Sequence, residues 1–375
     1  MFSFKRISSR VNAVSMVMND PARKPFCTML VEIIQLWLRD RAKPRHYYFN
    51  LLYRKDFEHD IYAYVGERRL LGLRDRVNDP FWAPVLDNKV LFDLFFRETD
   101  IRLPKLVGYN IRNQFFIGDN VMRVSDCQQL ATALELLADA SPTASVFAKP
   151  VGGMQGRGCL LFDVSDVSRI CADKGLELLN RDYVYQGVIV QHPKMAELHP
   201  SSVNTLRIDT YRTDQGKASV MSAFARIGVN KNIIDNASAG GCFVGVDLQR
   251  GTLMRNGFTM PEHGSSILDR HPDTGVLFDG FEVPLFCDAV SIAKRASELI
   301  PLTVVGWDVA ISDNGPVLIE GNPNYHIGVS ERAYGGYWRN PVFRRLVEDH
   351  APELGRIGRQ FDKAYPGEVG QVTDG

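Results

Sequence analysis

The chain contains 375 residues, of which 44 are basic and 44 acidic, so its formal net charge is zero. Hydrophobic residues make up 45% of the sequence and charged residues 23%, which is ordinary for a globular protein and excludes wholesale disorder. The length predicts two or three domains, and the neutral balance gives no general attraction to DNA, RNA or anionic lipid.

The six cysteines are scattered and form neither a CxxC motif nor a Cys/His cluster, so we expect reduced thiols. Residues 7–18 make a poor signal peptide because polar residues interrupt them. The most apolar stretch, 26–38, contains Glu32 and Gln35 and is too short and too polar to span a bilayer. We expect it to form an amphipathic helix that packs on its own domain, in preference to docking on a membrane or a partner. A cytoplasmic protein is therefore expected.

In chain order, the predicted elements change from helices to strands near residue 145. Residues 25–100 read mainly as helix, with one helix over 89–99 introduced by Asp87-Asn88, and Ser125-Asp126 introduces another that runs to about Ala140. Strands are predicted at 105–107, 145–151, 158–164, 188–192, 205–212, 220–228, 242–248, 304–312 and 316–322, with a helix over 285–299. Runs of strands with few helices indicate an α+β architecture with antiparallel sheets.

The turn signal Asp313-Asn314-Gly315 separates the last two strands and sets their register. If these three residues form the loop, Ser312 pairs with Pro316, and Asp308 lies directly opposite Glu320. The other face then carries the apolar pairs Val309 with Ile319 and Ile311 with Val317.

Carboxylates held opposite each other repel unless one is protonated or a cation lies between them. Asn322, two residues beyond Glu320, adds an amide to the face that carries Asp308. Two carboxylates and an amide suit magnesium, which also binds substrate phosphates. The pattern predicts a Mg²⁺ site, with Mn²⁺ as the alternative ion. The competing interpretation is an exposed acidic pair screened by water.

Residues 149–158 place four glycines within seven residues, directly after a strand that carries Lys149. Glycine lets backbone N–H groups approach phosphate oxygens, and lysine adds positive charge. The spacing fits neither the P-loop nor the Rossmann motif. Beside a magnesium-type acid pair the segment is a candidate lid over nucleotide phosphates, whereas alone it would be an ordinary hairpin.

Together these features resemble the ATP-grasp superfamily, and more closely its sugar-transfer-associated family. The segments that carry the resemblance are HPSSVNTLRIDTY (199–211), FARIG (224–228), DNASAGG (235–241), HPDTG (271–275), GWDVAI (306–311) and LIEGN (318–322). The resemblance covers roughly residues 85–330. It implies an α+β fold in which two subdomains grip ATP between antiparallel sheets.

The resemblance also implies a division into regions. Residues 1–84 would be a helical accessory region and 85–144 a region that precedes or links to the ATP-grasp core. Residues 145–195 would form the central subdomain with the lid, and 196–350 the C-terminal subdomain with the metal site. Residues 351–375 would be a tail.

Individual roles follow from the same resemblance. The residues assigned to ATP are Lys89 and Lys149 on the phosphates, Gly152, Gly153, Gly156 and Gly158 in the lid, Gln191 and His192 in the hinge beside adenine, and Glu197 on the ribose. Asp308, Glu320 and Asn322 become the metal ligands. Arg207 and Arg226 would neutralise the transferring phosphate or a substrate carboxylate, although each could instead form a surface ion pair.

The acceptor side of the site is implied at Asn236, beside Gly240 and Gly241. Some relatives carry an arginine two residues beyond the metal-binding asparagine, where this chain has Asn324, so we expect another residue such as Arg207 to stabilise the transition state. Histidines are more often structural than catalytic, and His271 is the best candidate among them for a chemical role.

The activity implied by the resemblance is ATP-dependent ligation of a carboxylate to an amine through an acyl phosphate. The substrates would be small or sugar-linked, with no nucleic acid and no membrane span. The first alternative is a kinase that phosphorylates a hydroxyl with the same ATP site. The second is a nucleotide-binding protein without turnover.

Overall fold

The computed structural model describes residues 17–56, 60–152, 156–230, 240–260 and 263–364. The chain forms two compact units, one made of residues 1–76 and 326–375 and the other of residues 77–325. The predicted boundaries at residues 84 and 350 differ from this division, because residues 326–350 group with the N-terminal residues and not with the strands that precede them.

The second unit contains an antiparallel sheet of six strands in the order β3-β2-β1-β6-β4-β5. Its strands are β1 (Leu106–Ile111), β2 (Gln114–Ile117), β3 (Asn120–Arg123), β4 (Ser145–Pro150), β5 (Leu160–Asp163) and β6 (Tyr183–Gly187). Two helices, α6 (Cys127–Asp139) and α7 (Val167–Asn180), contribute to its hydrophobic core. The predicted helix after Ser125-Asp126 is confirmed, since Asp126 caps α6 by accepting from the backbone N–H of Gln129 at 2.8 Å.

A second antiparallel sheet of seven strands follows, in the order β11-β10-β9-β8-β7-β12-β13. Its strands are β7 (Thr205–Arg212), β8 (Ala218–Ile227), β9 (Cys242–Asp247), β10 (Thr252–Thr259), β11 (Ile267–Leu268), β12 (Val304–Ser312) and β13 (Gly315–Asn322). Helix α9 (Phe286–Leu299) packs on this sheet through buried alanines, and Trp307 of β12 is fully buried in the same hydrophobic core. The α+β class with antiparallel sheets is confirmed.

One predicted strand is wrong. Residues 188–190 belong to no strand, and the strand of this region is β6, which ends at Gly187. Pro193 begins a short helix, α8 (Pro193–Ala196), and the Nδ1 atom of His192 caps it by accepting from the Lys194 backbone N–H. A proline at the first helical position has no N–H to give to a sheet, so no strand continues past His192, and within the predicted strand Gln191 makes an isolated bridge to Ser312.

Helices dominate the N-terminal region, as the sequence predicts. They are α1 (Phe26–Asp40), α2 (His46–Phe49), α3 (Glu67–Val77), α4 (Ala83–Asp87) and α5 (Lys89–Phe96). The Asn88 side chain caps α5 by accepting from two backbone N–H groups at 3.0 and 3.1 Å. The prediction that α1 packs its apolar side on its own domain is wrong. Met29 and Leu36 are buried, but Leu30, Trp37 and Leu38 are exposed.

The first unit also contains the C-terminal helices α10 (Ile327–Tyr334), α11 (Pro341–His350) and α12 (Gly355–Ala364). Glu331 of α10 is fully buried and accepts a hydrogen bond from the backbone N–H of Val65 at 2.6 Å. Burial raises the pKa of Glu331 to about 7, against the lowering effect of this and other backbone N–H donors. No described helix of the chain is long and apolar enough to cross a membrane.

Candidate functional site

Asp308 and Glu320 lie directly opposite each other on β12 and β13, as predicted. The turn that joins the strands is shorter than expected, because Ser312 pairs with Gly315 across Asp313 and Asn314. A β-bulge next to Asp308 then adds one residue to β13 and restores the predicted partner. The shorter turn and the bulge each shift the register by one residue in opposite directions, so Asp308 still lies opposite Glu320.

The predicted pairs nearer the turn are therefore wrong by one residue. Val309 faces Leu318 and Ile311 faces Pro316. Leu318 is fully buried while Ile319 is partly exposed, so the bulge also decides which apolar side chain enters the core.

Two arginines meet at the Asp308 carboxylate. Arg207 lies opposite Asp308 on β7, and its guanidinium donates two hydrogen bonds to the two carboxylate oxygens, at 2.5 and 3.1 Å. Arg226, on β8, places an Nη atom 2.9 Å from Oδ2 of Asp308 and also donates to the Thr205 hydroxyl. All of these side chains are largely buried, so the interpretation of either arginine as a surface ion pair is wrong.

The two carboxylates have opposite electrostatic environments. Burial alone would raise the pKa of Asp308, but the Arg207 and Arg226 guanidinium groups hold it well below its usual range. Burial, followed by the negative charge of Asp308, raises the pKa of Glu320. The two guanidinium groups thus favour the charged form of Asp308, whereas burial and the Asp308 charge disfavour the charged form of Glu320.

Asn322 and Lys89 complete this end of the site. The Asn322 amide lies 3.3 Å from Oδ2 of Asp308 and 3.4 Å from Oε1 of Glu320, so it bridges both carboxylates. The Lys89 ammonium lies 3.9 Å from Oε2 of Glu320. Lys89 is the first residue of α5, and its backbone N–H donates to Val151 at 3.4 Å, which ties this helix to the end of β4.

Lys149 on β4 belongs to the same charge cluster. Burial lowers the pKa of Lys149, whereas the charge of Glu320 acts in the opposite direction. Cys159, beyond the glycine-rich loop, interacts electrostatically with both Lys149 and Lys89. Two lysines, two arginines and two carboxylates therefore meet where β4, β7, β8, β12, β13 and α5 converge.

The glycine-rich loop is described on either side of residues 153–155. Gly156 and Gly158 have φ values of +69° and +78°, in the left-handed region that favours glycine. A Cβ at Gly158 would lie 3.1 Å from the Pro150 ring, whereas one at Gly152 would meet no atom within 4 Å. Gly153, which was assigned to the lid, lies outside the described residues.

The residues assigned to the adenine hinge make contacts of another kind. The Gln191 amide donates to the carbonyl oxygens of His199 and Ser202, both at 2.9 Å, and its oxygen accepts from the Asn204 backbone N–H. The His192 backbone N–H donates to Ile311 at 2.8 Å.

The Gln191 side chain and the His192 backbone N–H are thus hydrogen-bonded within the protein. Both residues lie beyond β6, which ends at Gly187. The assigned ribose ligand, Glu197, is half-exposed and pairs with Lys194 at 2.7 Å.

Two buried histidines contact main-chain carbonyl oxygens just after β8. His199 Nε2 lies 2.6 Å from the Asn230 carbonyl oxygen, and His271 Nε2 lies 2.7 Å from the Gly228 carbonyl oxygen. These contacts fix the main chain that enters residues 231–239. Asn236 is among them and lies outside the described residues, and Gly240 and Gly241 follow. A structural role fits His271 better than a chemical one.

Thr205 was missed by the sequence analysis, although a signal was present. Thr205, Arg207 and Asp209 alternate along β7 and share one face, as residues two apart on a strand do. Thr205 pairs with Arg226 across the sheet, and its hydroxyl accepts two hydrogen bonds from that arginine at 3.0 and 2.9 Å. It sets the direction of the Arg226 guanidinium.

Two antiparallel sheets with a charge cluster at paired acidic residues are the arrangement of an ATP-grasp enzyme. The family model of sugar-transfer associated ATP-grasp proteins matches residues 69–340, and the chain belongs to this family. Among curated proteins, none matches the chain.

Solved ATP-grasp structures are similar at low sequence identity. The ATP-grasp ligase PsnB complexed with minimal precursor is 14% identical over 73% of this chain and 64% of its own, with a TM-score of 0.40. PsnB complexed with minimal precursor, Mg and ADP is 12% identical over 73% and 62%, also at 0.40. The ADP complex of purK, an N5-carboxyaminoimidazole ribonucleotide synthetase, is 14% identical over 65% and 46%, at 0.36. The chain thus spans less than two thirds of these proteins, and the family assignment rests on the sequence match alone.

Proposed function

We propose that the protein is an ATP- and Mg²⁺-dependent ligase that joins a carboxylate to an amine through an acyl phosphate. The observation that carries the proposal is the Asp308–Glu320 pair, opposed across β12 and β13 and surrounded by Lys89, Arg207 and Arg226. Such a cluster can hold several anions at once, which is the requirement for bringing a triphosphate and a carboxylate together.

The reaction has two steps. A carboxylate oxygen of the first substrate attacks the γ-phosphorus of ATP, the bond from that phosphorus to the β-phosphate oxygen breaks, and ADP leaves. The amine of the second substrate then attacks the acyl carbon, the acyl–oxygen bond breaks, and inorganic phosphate leaves with that oxygen. The amine loses one proton as the amide forms. The name of the family supports a sugar- or polysaccharide-linked carboxylate or amine, or an amino acid joined to one.

Asp308, Glu320 and Asn322 would hold the metal, and the chemistry of the donors fits magnesium. Two carboxylates and an amide lie together, and the pKa of Glu320 is raised by burial and by Asp308 although Lys89 and Lys149 act against that rise, so a further cation would favour the charged form. A bound Mg²⁺ would supply positive charge to the β- and γ-phosphates. Asp308 would then contact both that ion and the guanidinium groups of Arg207 and Arg226.

Lys89 and Lys149 would contact the phosphates of ATP. Both lie close enough to Glu320 to interact with its charge, and burial lowers the pKa of Lys149, so an anion beside Lys149 would stabilise its charged form. The glycine-rich loop lies directly after Lys149, and its left-handed glycines at 156 and 158 leave backbone N–H groups unobstructed by side chains. The adenine would lie against the main chain of residues 187–190, since Gln191 and His192 are engaged elsewhere.

Arg226 would bind the substrate carboxylate. Its guanidinium is held by Thr205 on one side and Asp308 on the other, so it is fixed in direction before the substrate arrives. Arg207 is paired to Asp308 through two hydrogen bonds, so we assign it to holding the metal ligand and to stabilising charge that develops on the γ-phosphate. The acceptor side would be completed by Asn236.

The experiment that tests this proposal is ADP release across a panel of carboxylates and amines, with the products weighed by mass spectrometry. We expect ADP release to require both a carboxylate and an amine, and the product mass to equal the sum of the two substrates minus one water. A product that carries a phosphate, formed with no amine present, would show a kinase and would overturn the proposal.

A further inference from the structure

Helix α1 presents its apolar side to solvent. Six large apolar side chains are exposed on the helix and form what we call the α1 apolar face: Phe26, Leu30, Val31, Ile34, Trp37 and Leu38. The exposed fraction reaches 54% for Trp37 and 62% for Leu38. At 100° per residue these positions fall within one side of the helix, so the exposed apolar surface is continuous along its length.

The charged residues of the same helix point into the protein. Arg39 and Asp40 are buried. Arg39 donates to Asp40 and to the Tyr64 carbonyl oxygen, both at 2.8 Å, and Asp40 also accepts from Arg69 at 2.8 Å. Near the other end, Glu32 pairs with Lys24 at 2.7 Å. Turning the helix to bury its apolar face would break these contacts and bury unpaired charge, so the orientation is fixed.

Cations surround the α1 apolar face. Arg23 lies over the Phe26 ring at 4.1 Å from its centroid, beside the N-terminal end of the helix. Arg41, Lys43 and Arg45 follow the C-terminal end and are exposed, and no ion pair joins any of these three to another described residue. A net-neutral chain therefore concentrates positive charge around its exposed apolar helix.

We propose that the α1 apolar face docks on an anionic lipid surface, with α1 lying in the plane of the interface. An apolar side rich in leucine, with tryptophan and phenylalanine, and bordered by arginine and lysine is the composition that interfacial helices use. The flanking cations attract anionic headgroups while the apolar side chains enter the acyl boundary. A cleft of about 410 Å³ adjoins the start of α1, and its charged lining residues are Arg23, Lys55 and Asp20, of which Asp20 is paired with Arg54 at 3.2 Å.

A second copy of the chain is a worse occupant of the α1 apolar face. If two copies pair in antiparallel orientation, Arg41 and Lys43 of one meet Arg23 of the other. If they pair in parallel, each of these cations meets its own counterpart. Like charges then oppose each other at both ends of the interface, whereas an anionic lipid surface compensates all of them.

Vesicle binding tests the proposal directly. The probe is the full chain mixed with vesicles of phosphatidylcholine alone, or of phosphatidylcholine with phosphatidylglycerol in equal parts. We expect the protein to sediment with the anionic vesicles and to remain in the supernatant with the neutral ones. The emission of Trp37 should shift to shorter wavelength on binding. Of the other three tryptophans, Trp307 and Trp338 are buried and Trp82 is partly buried, and subtracting the spectrum of Trp37→Phe isolates the signal of Trp37.

Three variants separate the contributions. Leu30→Ser with Leu38→Ser should lower vesicle partitioning by roughly tenfold or more, because it removes apolar area from the face. Arg41→Glu with Lys43→Glu should abolish the preference for anionic vesicles. The matched control is Leu176→Ser, which changes a still more exposed leucine on α7 and should leave binding unchanged. Nucleotide turnover without vesicles should be unaffected in all of these variants. Failure of the vesicle-binding proposal is therefore measured separately from failure of the proposed ligase activity.

Two results would overturn the proposal. One is a wild-type chain that sediments as a dimer in solution, becomes monomeric on Leu30→Ser with Leu38→Ser, and ignores both kinds of vesicle. The other is equal vesicle binding by wild type and by that double variant.

Discussion

Arg207 and Asp308 face each other across neighbouring strands, and the guanidinium donates to both oxygens of the carboxylate. On the other side of Asp308, in the next strand, lies Glu320, whose nearest described cation is Lys89 at 3.9 Å. The two acids of one candidate metal site thus differ in what balances their charge. Asp308 is paired with two guanidinium groups, whereas Glu320 is repelled by Asp308 and attracted by Lys89 and Lys149. Matched substitutions of the two should therefore differ in their effect on stability.

Asp308→Asn should strongly destabilise the fold. It leaves the buried guanidinium groups of Arg207 and Arg226 without their anion, which typically costs about 3–5 kcal/mol of unfolding free energy. The measurement is denaturant unfolding at neutral pH in the absence of metal. A loss below about 1 kcal/mol, the size of an exposed pair, would contradict the arrangement described here.

Glu320→Gln, the same chemical change on the opposite strand, should change the metal-free melting temperature much less than Asp308→Asn, because it removes the repulsion with Asp308 together with the attraction to Lys89 and Lys149. It should nevertheless lower the rate of ADP formation by about a hundredfold or more, since it removes charge from the site that positions the phosphates. Glu282→Gln, on an exposed acid of the same unit, is the matched control and should alter neither quantity. Full activity in Glu320→Gln would remove Glu320 from the metal site.

Arg226→Lys should weaken use of the carboxylate much more than it weakens ATP binding. Lysine keeps the charge but cannot reproduce the two parallel hydrogen bonds of a guanidinium, a loss of about 1.5–3 kcal/mol or roughly ten- to hundredfold. The measurement is ADP release against carboxylate concentration, with nucleotide binding followed separately. Arg255→Lys changes an exposed arginine on β10 and serves as the control. An equal fall in both quantities would assign Arg226 to the phosphates or to the support of Asp308.

Gly158→Ala should weaken nucleotide binding by roughly tenfold, since a side chain in the left-handed region costs about 1–2 kcal/mol and its Cβ would crowd Pro150. Gly152→Ala, in the same loop, meets open space and should bind ATP normally. Titration calorimetry with a non-hydrolysable ATP analogue and Mg²⁺ distinguishes the two. Similar affinities for both variants would mean that the loop does not cover the phosphates.

The buried Glu331 should make stability depend on pH. Its pKa is raised to about 7 in the folded chain, above an ordinary value of 4.5, so the folded state binds more protons between these values. Stability should therefore fall as the pH rises from about 4.5 to 7 and then level off, by about 3 kcal/mol from this group.

His46 acts in the opposite direction, because burial lowers its pKa to about 4. The contribution of His46 to stability is lost as the pH falls from 6.5 towards 4. Because this loss overlaps the effect of Glu331, wild type must be compared with Glu331→Gln at each pH. The difference in unfolding free energy between wild type and Glu331→Gln should become more unfavourable to wild type as the pH rises from 5 to 7.5. A constant difference would show that Glu331 is ionised at both pH values.

The sequence was sufficient to predict features that depend on local pattern. The alternation around Asp308 and Glu320 and the turn signal between them predicted the pair, and Asp126 and Asn88 predicted two helix starts. The bulge was not predictable. A three-residue loop without a bulge and a two-residue turn with a bulge both place Asp308 opposite Glu320, so the sequence pattern does not distinguish them. The extra residue in β13 is Ile319, which lies between the paired residues Leu318 and Glu320, and it is Leu318 that is buried.

Features that depend on distant contacts were missed. The pairing of Arg207 with Asp308 joins strands about a hundred residues apart in the sequence, and no local signal reports which strands become neighbours. Amphipathicity showed that α1 has two faces but not which one meets the protein, and the buried contacts of Arg39 and Asp40 decide it. The apolar run at 188–190 resembled a strand, but β6 ends before it at Gly187, and Pro193 begins a helix soon after it.

The most direct test of the central claim follows an oxygen atom. The reaction is run with ATP, Mg²⁺, an amine and a carboxylate substrate labelled with ¹⁸O in both carboxyl oxygens, and the released inorganic phosphate is weighed. If a carboxylate oxygen attacks the γ-phosphorus and the amine later displaces phosphate, each released phosphate carries one ¹⁸O atom. Released phosphate with no ¹⁸O, or label found only in a stable phosphorylated product, would contradict ligation through an acyl phosphate.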